Sequence, residues 1–174
     1  MSKSKIFKII MAGAGGVGKT TMVHRFVEGV FLADTQFTIG VEFFLKEIEI
    51  ENTKILLQTW DFAGQPQFRF LHKNYARGAK GALLLFDLTR PTTLESIGEW
   101  VNICRADGID IPILLVGSKA DLIESSHIEP MIIEAIRKKF NLFDYIEVSS
   151  KTGQGVELAF KKLAKKIIEH IISF

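Results

Sequence analysis

The stretch Gly13-Ala14-Gly15-Gly16-Val17-Gly18-Lys19-Thr20 decides the fold. It matches the pattern G-x-x-x-x-G-K-S/T in full and lies between an apolar run at residues 6–12 and a helix-period segment at residues 19–28. Glycines let successive backbone N–H groups turn toward one anion, and the following helix adds the positive end of its dipole. The stretch therefore predicts a loop that holds nucleotide phosphates, with Lys19 reaching the β- and γ-phosphates, Thr20 coordinating Mg²⁺, and Thr21 beside them.

The same glycines have a second interpretation. Gly13, Gly15 and Gly18 also satisfy the dinucleotide-binding pattern G-x-G-x-x-G. That pattern does not require Lys-Thr after the last glycine, and it needs an acidic residue at the end of a second parallel strand. Because the second strand of this chain is predicted to be an antiparallel edge strand, we favour the phosphate loop.

Apolar runs alternate with helix-period segments along the chain. Continuous apolar runs at residues 83–86 and 113–116 indicate strands buried on both faces of a parallel sheet, and residues 6–12 and 143–148 are further strand candidates. Helices are predicted near residues 19–28, 68–77, 93–106, 128–139 and 155–172. Strand candidates at residues 43–51 and 54–61 are separated only by Asn52-Thr53, which requires an antiparallel hairpin. The pattern predicts a three-layer α/β fold with a mostly parallel sheet and one antiparallel edge strand.

The composition limits the classes of protein. With 174 residues the chain is long enough for one well-buried core, and we expect a single domain over residues 1–174 with its core at about 5–172. A net charge of +2 gives no strong attraction to nucleic acid. The single cysteine, Cys104, excludes an internal disulfide and fits a reducing compartment. No motif surrounds it, so we expect a core residue and not a nucleophile.

Membrane signals are also expected to be absent. No apolar run reaches the roughly 18 residues that a membrane span needs. Ser2 stands where N-myristoylation requires glycine, and the C-terminal residues contain no cysteine for prenylation. We therefore expect no membrane span and no lipidation motif in this chain.

A second motif, Trp60-Asp61-Phe62-Ala63-Gly64-Gln65, follows the apolar strand at residues 54–61. An acidic residue at the end of such a strand can serve as an oxygen partner of Mg²⁺. Gly64 can present a backbone N–H to a γ-phosphate where a side chain would block it, and Gln65 can orient an attacking water molecule. Alone, the stretch is an ordinary strand exit; beside a phosphate loop it predicts a hydrolytic site.

Together with Phe37-Thr38-Ile39-Gly40-Val41-Glu42-Phe43, these motifs resemble the Ras superfamily of small GTPases, most closely its Rab branch. The resemblance covers about residues 5–172. It implies a P-loop NTPase fold with six strands, one of them antiparallel. It also implies a switch that binds GTP and GDP and hydrolyses GTP slowly with Mg²⁺. Such a switch would regulate signalling or vesicle trafficking, in the cytoplasm or at the periphery of membranes.

The resemblance assigns roles to single residues. Thr38 would bind Mg²⁺ through its hydroxyl and the γ-phosphate through its N–H in the GTP state only, so that hydrolysis releases its loop. Phe31 would cover the guanine base. Phe43, Trp60 and Tyr75 would form an aromatic triad for effectors, and the switch regions at residues 38–43 and 60–75 would also bind activating and exchange proteins. Without the family, these aromatic residues would be ordinary packing.

Guanine specificity is predicted by the stretch Gly117-Ser118-Lys119-Ala120-Asp121, which follows a buried strand. By resemblance, Asp121 accepts hydrogen bonds from the ring N–H and the exocyclic amine of guanine, and the stem of Lys119 lies along the base. Ser118 stands where the family has asparagine, so it would tie the loop to the phosphate loop but reach the base less well. A second stretch, Ser149-Ser150-Lys151, would place a backbone N–H on the guanine oxygen.

Four further positions depart from the family pattern. Phe37 replaces a usual proline, Thr35 a frequent tyrosine, Phe62 a usual threonine, and Pro66 a usual acidic residue. Proline restricts the preceding residue to extended geometry and removes a donor. Pro66 therefore either fixes Gln65 in one pose for the water molecule or holds it away.

The predicted reaction is in-line attack of water on the γ-phosphorus. Lys19, Mg²⁺ and loop N–H groups would neutralise charge, and Gln65 would place the water. No Arg or Lys lies between Phe31 and Thr38, so no arginine finger is visible there, and we expect slow intrinsic turnover. Two alternatives stay open: a nucleotide-bound scaffold that scarcely hydrolyses, and, less favoured, an ATP-using phosphotransferase that leaves Asp121 unexplained.

Overall fold

A computed structural model describes residues 4–33, 38–124 and 128–173. Six strands form one sheet in this part of the chain: β1 Lys5–Gly13, β2 Val41–Ile50, β3 Thr53–Phe62, β4 Gly81–Asp87, β5 Ile113–Ser118 and β6 Asp144–Glu147. Their order is β2-β3-β1-β4-β5-β6, and every neighbouring pair is parallel except β2 with β3. The predicted α/β sheet with one antiparallel edge strand is confirmed.

Helices cover both faces of this sheet. They are α1 Lys19–Glu28, α2 Arg69–Tyr75, α3 Ile97–Cys104, α4 Pro130–Phe140 and α5 Val156–Ile172, with short 3-10 helices at Pro66–Phe68, Pro91–Ser96 and Ala120–Leu122. Strand β4 is buried along its whole length, as its continuous apolar run predicts. On one face Phe26 of α1 stacks on Phe160 of α5, and on the other Trp100 of α3 is fully buried. The sheet therefore separates two apolar clusters.

Two predicted boundaries are wrong. The hairpin turn is Glu51-Asn52 and not Asn52-Thr53, because both turn residues take positive φ, at 48° and 64°, as a tight β2–β3 hairpin requires. The helix predicted at residues 93–106 begins as the 3-10 segment Pro91–Ser96, and α3 starts only at Ile97. There the Thr93 hydroxyl donates to the Arg90 carbonyl, which holds the chain against the end of β4.

Cys104 lies in the core, and burial raises the pKa of its thiol to about 12. The thiol is therefore protonated at neutral pH, which agrees with a packing role. Among the described residues, no helix combines the length and apolar character needed to cross a membrane.

Candidate functional site

The predicted motifs meet at the carboxyl ends of the parallel strands. The phosphate loop follows β1, Asp61 lies near the end of β3, and Ser118 ends β5. These strands are parallel to one another within the sheet, so their carboxyl ends converge, as at the ligand sites of open α/β sheets. Residues far apart in sequence are thereby brought to one crevice.

The phosphate loop depends on glycine at two positions in particular. A Cβ at Gly13, where φ is 141°, would collide with the main-chain carbonyl of Leu85 on the neighbouring strand. Gly18 has φ of 95° in the left-handed region and is the residue from which α1 starts. Side chains at either position would break the path of the loop from β1 into the helix.

Donors from the surrounding structure occupy the outer, carbonyl side of this loop. The Lys19 ammonium donates to the carbonyls of Gly13 and Ala14, at 2.7 and 2.9 Å. The Ser118 hydroxyl lies 2.6 Å from the Val17 carbonyl oxygen. Because these carbonyls already have donors, the loop N–H groups remain for an anion.

Two further cations complete this arrangement. Arg90 Nη2 donates to the Gly15 carbonyl at 3.2 Å, and Lys119 Nζ donates to the Gly16 carbonyl at 3.0 Å. Both cations also pair with the fully buried carboxylate of Asp87, through Arg90 Nε at 3.0 Å and Lys119 Nζ at 2.7 Å. Burial alone would raise the pKa of Asp87, but hydrogen bonds from Lys119, Thr89 and Arg90 hold it below its usual value.

Three oxygen-bearing side chains converge beside the loop. The hydroxyls of Thr20 and Thr38 lie 2.6 Å apart, Thr20 also bonds to Asp61 Oδ2, and Thr38 Oγ1 lies 3.3 Å from the same oxygen. The other carboxylate oxygen, Asp61 Oδ1, is buried and has no hydrogen-bond partner among the described residues. Hydroxyl and carboxylate oxygens are the ligands that Mg²⁺ prefers, so this set fits the ion.

Burial dominates the electrostatics here. It lowers the pKa of Lys19 to about 8, opposed by Asp61 and assisted by Arg69. It raises the pKa of Asp61 to about 6, against the hydrogen bond from Thr20 and the charge of Lys19. Charged groups are costly to bury without partners, and phosphate and a divalent cation would supply the missing charge to Lys19 and Asp61 respectively.

A cleft of about 380 Å³ extends from the phosphate loop to the predicted base-contact residues. It is lined on one side by Phe31, which is 40% exposed, and on the other by Lys119 and Asp121. The Ser149 hydroxyl donates to Asp121 Oδ1 at 2.7 Å and so fixes the carboxylate at the cleft. The remaining predicted cofactor residues that line the cleft are Gly16, Val17, Gly18, Thr21, Ser118, Ser150 and Lys151.

Gly64 lies directly against the phosphate loop. A Cβ there would be 2.7 Å from the Ala14 carbonyl oxygen and would also collide with the Gly15 nitrogen. Gln65 follows with extended geometry, at φ −71° and ψ 138°, as expected before proline. Its side-chain carbonyl accepts a hydrogen bond from Gln67 Nε2 at 2.8 Å. Pro66 therefore begins a turn in which Gln67 holds the Gln65 side chain.

Comparison with known proteins agrees with this geometry: the model of the Ras family matches residues 8–169. The chain belongs to the Ras family. Ras-related protein Rab-19 of Homo sapiens is 37% identical over 164 residues, which are 94% of this chain and 76% of that protein. Ras-related protein Rab-2B of Dictyostelium discoideum is 36% identical over 173 residues, which are 99% of this chain and 85% of that protein.

As a Rab-like member of the Ras family, the protein is a GTP-binding switch with GTPase activity, of the kind that regulates vesicle trafficking or signalling. The predicted family, fold and activity are confirmed. Binding of guanine nucleotide and of regulators or effectors follows for the family in general.

The structure gives a physical account of two departures from the family pattern. Ser118 is buried within reach of both the Val17 and Phe86 carbonyls, but its hydroxyl has one hydrogen and can donate to only one of them. Phe62 stacks on His72 of α2, with ring centroids 4.6 Å apart and planes 8° apart. Pro66 begins the turn described above, and the other two departures, Thr35 and Phe37, lie outside the described residues.

Three residues of this Ras-family site were missed by the sequence reasoning: Asp87, Arg90 and His72. Asp87 ends β4, next to the strand that carries the phosphate loop, and this position was a signal for a role at the crevice. Arg90 contacts Gly15 across 75 residues of sequence. His72 is fully buried between Phe62 and Trp100, and no pattern in the chain marks it.

Proposed function

We propose that this protein is a Mg²⁺-dependent GTP/GDP switch in which residues 13–21 hold the phosphates and Asp121, with Ser149, reads guanine. Phe31 covers the base, and the Ser150 N–H and Lys151 complete its contacts. In this proposal Thr20, Thr38 and Asp61 hold Mg²⁺, which would neutralise charge on the phosphate oxygens during hydrolysis.

The convergence of Thr20, Thr38 and Asp61 supports this proposal most directly. The three residues come from α1, from the segment before β2, and from β3. In the nucleotide-bound state the same oxygens would turn from one another to a shared cation. Loss of the γ-phosphate would remove one partner of Thr38 and loosen the segment that carries it, which is the switching step.

The test measures release of fluorescent GDP with and without EDTA. We expect EDTA to accelerate release from the wild-type protein at least about tenfold, because Thr20, Thr38 and Asp61 would hold the ion and its charge would help to retain the nucleotide. Thr20→Ala should release GDP rapidly in both conditions. Thr92→Ala, which changes an exposed threonine outside the crevice, should respond to EDTA as wild type does. A Thr20→Ala protein with the wild-type response would contradict the proposed metal site.

We also propose slow intrinsic hydrolysis. The Gln65 side-chain carbonyl accepts a hydrogen bond from Gln67, so one of its two acceptor positions is already used when it orients water. Lys19 stabilises charge on the β- and γ-phosphates, and the Gly64 N–H faces the γ-phosphate in the GTP state. A single-turnover GTP assay measures this rate, and turnover too slow to detect would instead favour the nucleotide-bound scaffold.

The remaining assignments are proposals of the same kind. Residues 1–174 form one domain that acts in the cytoplasm or at the periphery of membranes. Effectors, activating proteins and exchange proteins bind the switch regions, where Phe43 and Tyr75 are exposed and Trp60 packs against both rings. Large aromatic side chains in a contiguous exposed patch are typical of protein interfaces.

A further inference from the structure

A closed ring of contacts lies behind the phosphate loop. It runs from the Gly15 carbonyl to Arg90, from Arg90 to the Asp87 carboxylate, from Asp87 to Lys119, and from Lys119 back to the Gly16 carbonyl. Gly15 and Gly16 are covalent neighbours, so the ring closes through the main chain between their two carbonyls. We refer to Arg90, Asp87 and Lys119 as the Asp87 bridge.

The Asp87 bridge is built on a fixed centre. Asp87 is 0% exposed, and its second oxygen accepts hydrogen bonds from both the backbone and the hydroxyl of Thr89. Arg90 is fixed from the other side, because its carbonyl accepts the Thr93 hydroxyl. A buried carboxylate with four donors holds its cations in one geometry, since it accepts a charge-assisted hydrogen bond from each of them.

Arg90 bonds to its two acceptors in this ring through two different nitrogen atoms. Its guanidinium uses Nε for Asp87 and Nη2 for Gly15, and a planar fork can meet both acceptors at once. A Cβ at Gly16 would lie 3.2 Å from the same Nη2, so the guanidinium lies close against the loop. A lysine at this position would have to reach both acceptors from a single nitrogen, as Lys119 does with Asp87 and Gly16, whereas the guanidinium reaches them from two separate nitrogens in a rigid plane.

We propose that Arg90 is a positioning residue for nucleotide retention. It fixes the peptide unit between Gly15 and Gly16, whose N–H belongs to the anion-facing side of the loop, and couples that unit through Asp87 to Lys119 at the base cleft. The inference rests on the proposed nucleotide site. Arg90 acts through the loop and makes no contact with the reacting atoms in this scheme.

The experiment measures GDP release from the Mg²⁺-loaded full chain. We expect Arg90→Gln to release GDP about five- to tenfold faster than wild type, since it loses charge-assisted hydrogen bonds at a half-exposed position. Arg90→Lys should give a similar acceleration, because it keeps the charge but not the fork. The ³¹P resonance of the β-phosphate of bound GDP should shift in both variants.

Arg105 supplies a matched control. Its guanidinium also bonds to main-chain carbonyls, at Phe140, Ile111 and Asn141, and it pairs with Asp110 away from the nucleotide crevice. Arg105→Gln should lower the melting temperature but leave GDP release and the ³¹P resonance unchanged. This separates a local effect on the loop from a general loss of stability.

These measurements test the role of Arg90 separately from the proposed nucleotide site. A wild-type chain that retains no GDP would refute the proposed site itself. A wild-type chain that retains GDP, with Arg90→Gln within twofold of its release rate, would overturn the role of Arg90. Wild-type release from Arg90→Lys together with fast release from Arg90→Gln would overturn the fork geometry, because charge alone would then suffice.

Discussion

We expect His72 to make the free energy of unfolding of this protein fall in acid. Its ring lies between Phe62 and Trp100, with centroid distances of 4.6 and 5.5 Å, and the residue is 0% exposed. Burial lowers the pKa of His72 to about 4, offset in part by the Gly40 backbone and assisted by Lys19 and Arg69. A protonated imidazole would place a positive charge in this stack, near two other cations.

The sign of the effect follows from the two pKa values. The unfolded pKa is about 6.5 and the folded pKa about 4, so between them the unfolded chain binds more protons and stability falls as the pH falls. At pH 5 the two values give a loss of about 2 kcal/mol relative to pH 8, rising to about 3 kcal/mol below pH 4. Above pH 7 protonation of His72 no longer lowers the free energy of unfolding.

Urea denaturation at saturating GDP, from pH 8 to pH 5, measures this loss. Asp61 opposes it, because the raised pKa of Asp61 makes the folded state the better proton binder between about pH 4 and 6. We therefore compare wild type with His72→Phe, which keeps a ring in the stack but removes the titrating group. The wild-type free energy of unfolding should fall by about 2 kcal/mol relative to His72→Phe over this range.

A second variant controls for packing. Ile97→Val removes a methyl group from the same apolar cluster and keeps the titrating His72. The difference in the free energy of unfolding between this variant and wild type should therefore not change with pH. The reasoning is refuted if wild type and His72→Phe lose stability in parallel as the pH falls. A parallel fall would mean that His72 is protonated in the folded protein at no cost.

Three further predictions concern the crevice. Ser118→Ala removes the hydroxyl that donates to the phosphate loop and leaves a buried carbonyl without a donor. We expect this to lower the free energy of unfolding by about 1–3 kcal/mol and to speed GDP release at least about fivefold. The control is Ser96→Ala, which loses only a long hydrogen bond. Gly64→Ala should sharply reduce single-turnover hydrolysis, because the methyl group would collide with the backbone of the phosphate loop. Normal turnover would show that this contact is not retained with GTP. Gln65→Leu should lower the hydrolysis rate, whereas Gln67→Ala should raise it because the Gln65 side chain loses its hydrogen bond to Gln67. Equal rates in wild type and Gln65→Leu would mean that Gln65 does not place the water.

The fold could be predicted because its signals are local. The continuous apolar runs of β4 and β5 and the short β2–β3 connection each depend on neighbouring residues only, and they determine a mostly parallel sheet with an antiparallel edge. The hairpin turn was misplaced by one residue because Glu51, an ordinary strand residue by its alternation, takes positive φ. Turn geometry at that level is set by pairing register, which the sequence does not display.

Within the site, too, the residues that local sequence signals mark could be predicted and those brought together only by the fold could not. The phosphate loop could be assigned because glycine spacing and the Lys-Thr pair act within eight residues. The Arg90 contact could not, because an arginine after a strand has many possible partners and only the fold brings it to Gly15. His72 was hidden for a different reason: a single histidine in a short helix gives no sign of whether it is buried.

The chain has two tryptophans, and we expect their fluorescence to report on switching. Trp60 packs against Phe43 of β2 and Tyr75 of α2, with Lys8 Nζ 4.3 Å from its ring, whereas Trp100 lies beside His72. Any displacement of α2 therefore changes the surroundings of both indoles at once. We expect intrinsic fluorescence to follow GTP-to-GDP conversion without a label, and Trp100→Phe and Trp60→Phe to separate the emission of the two tryptophans.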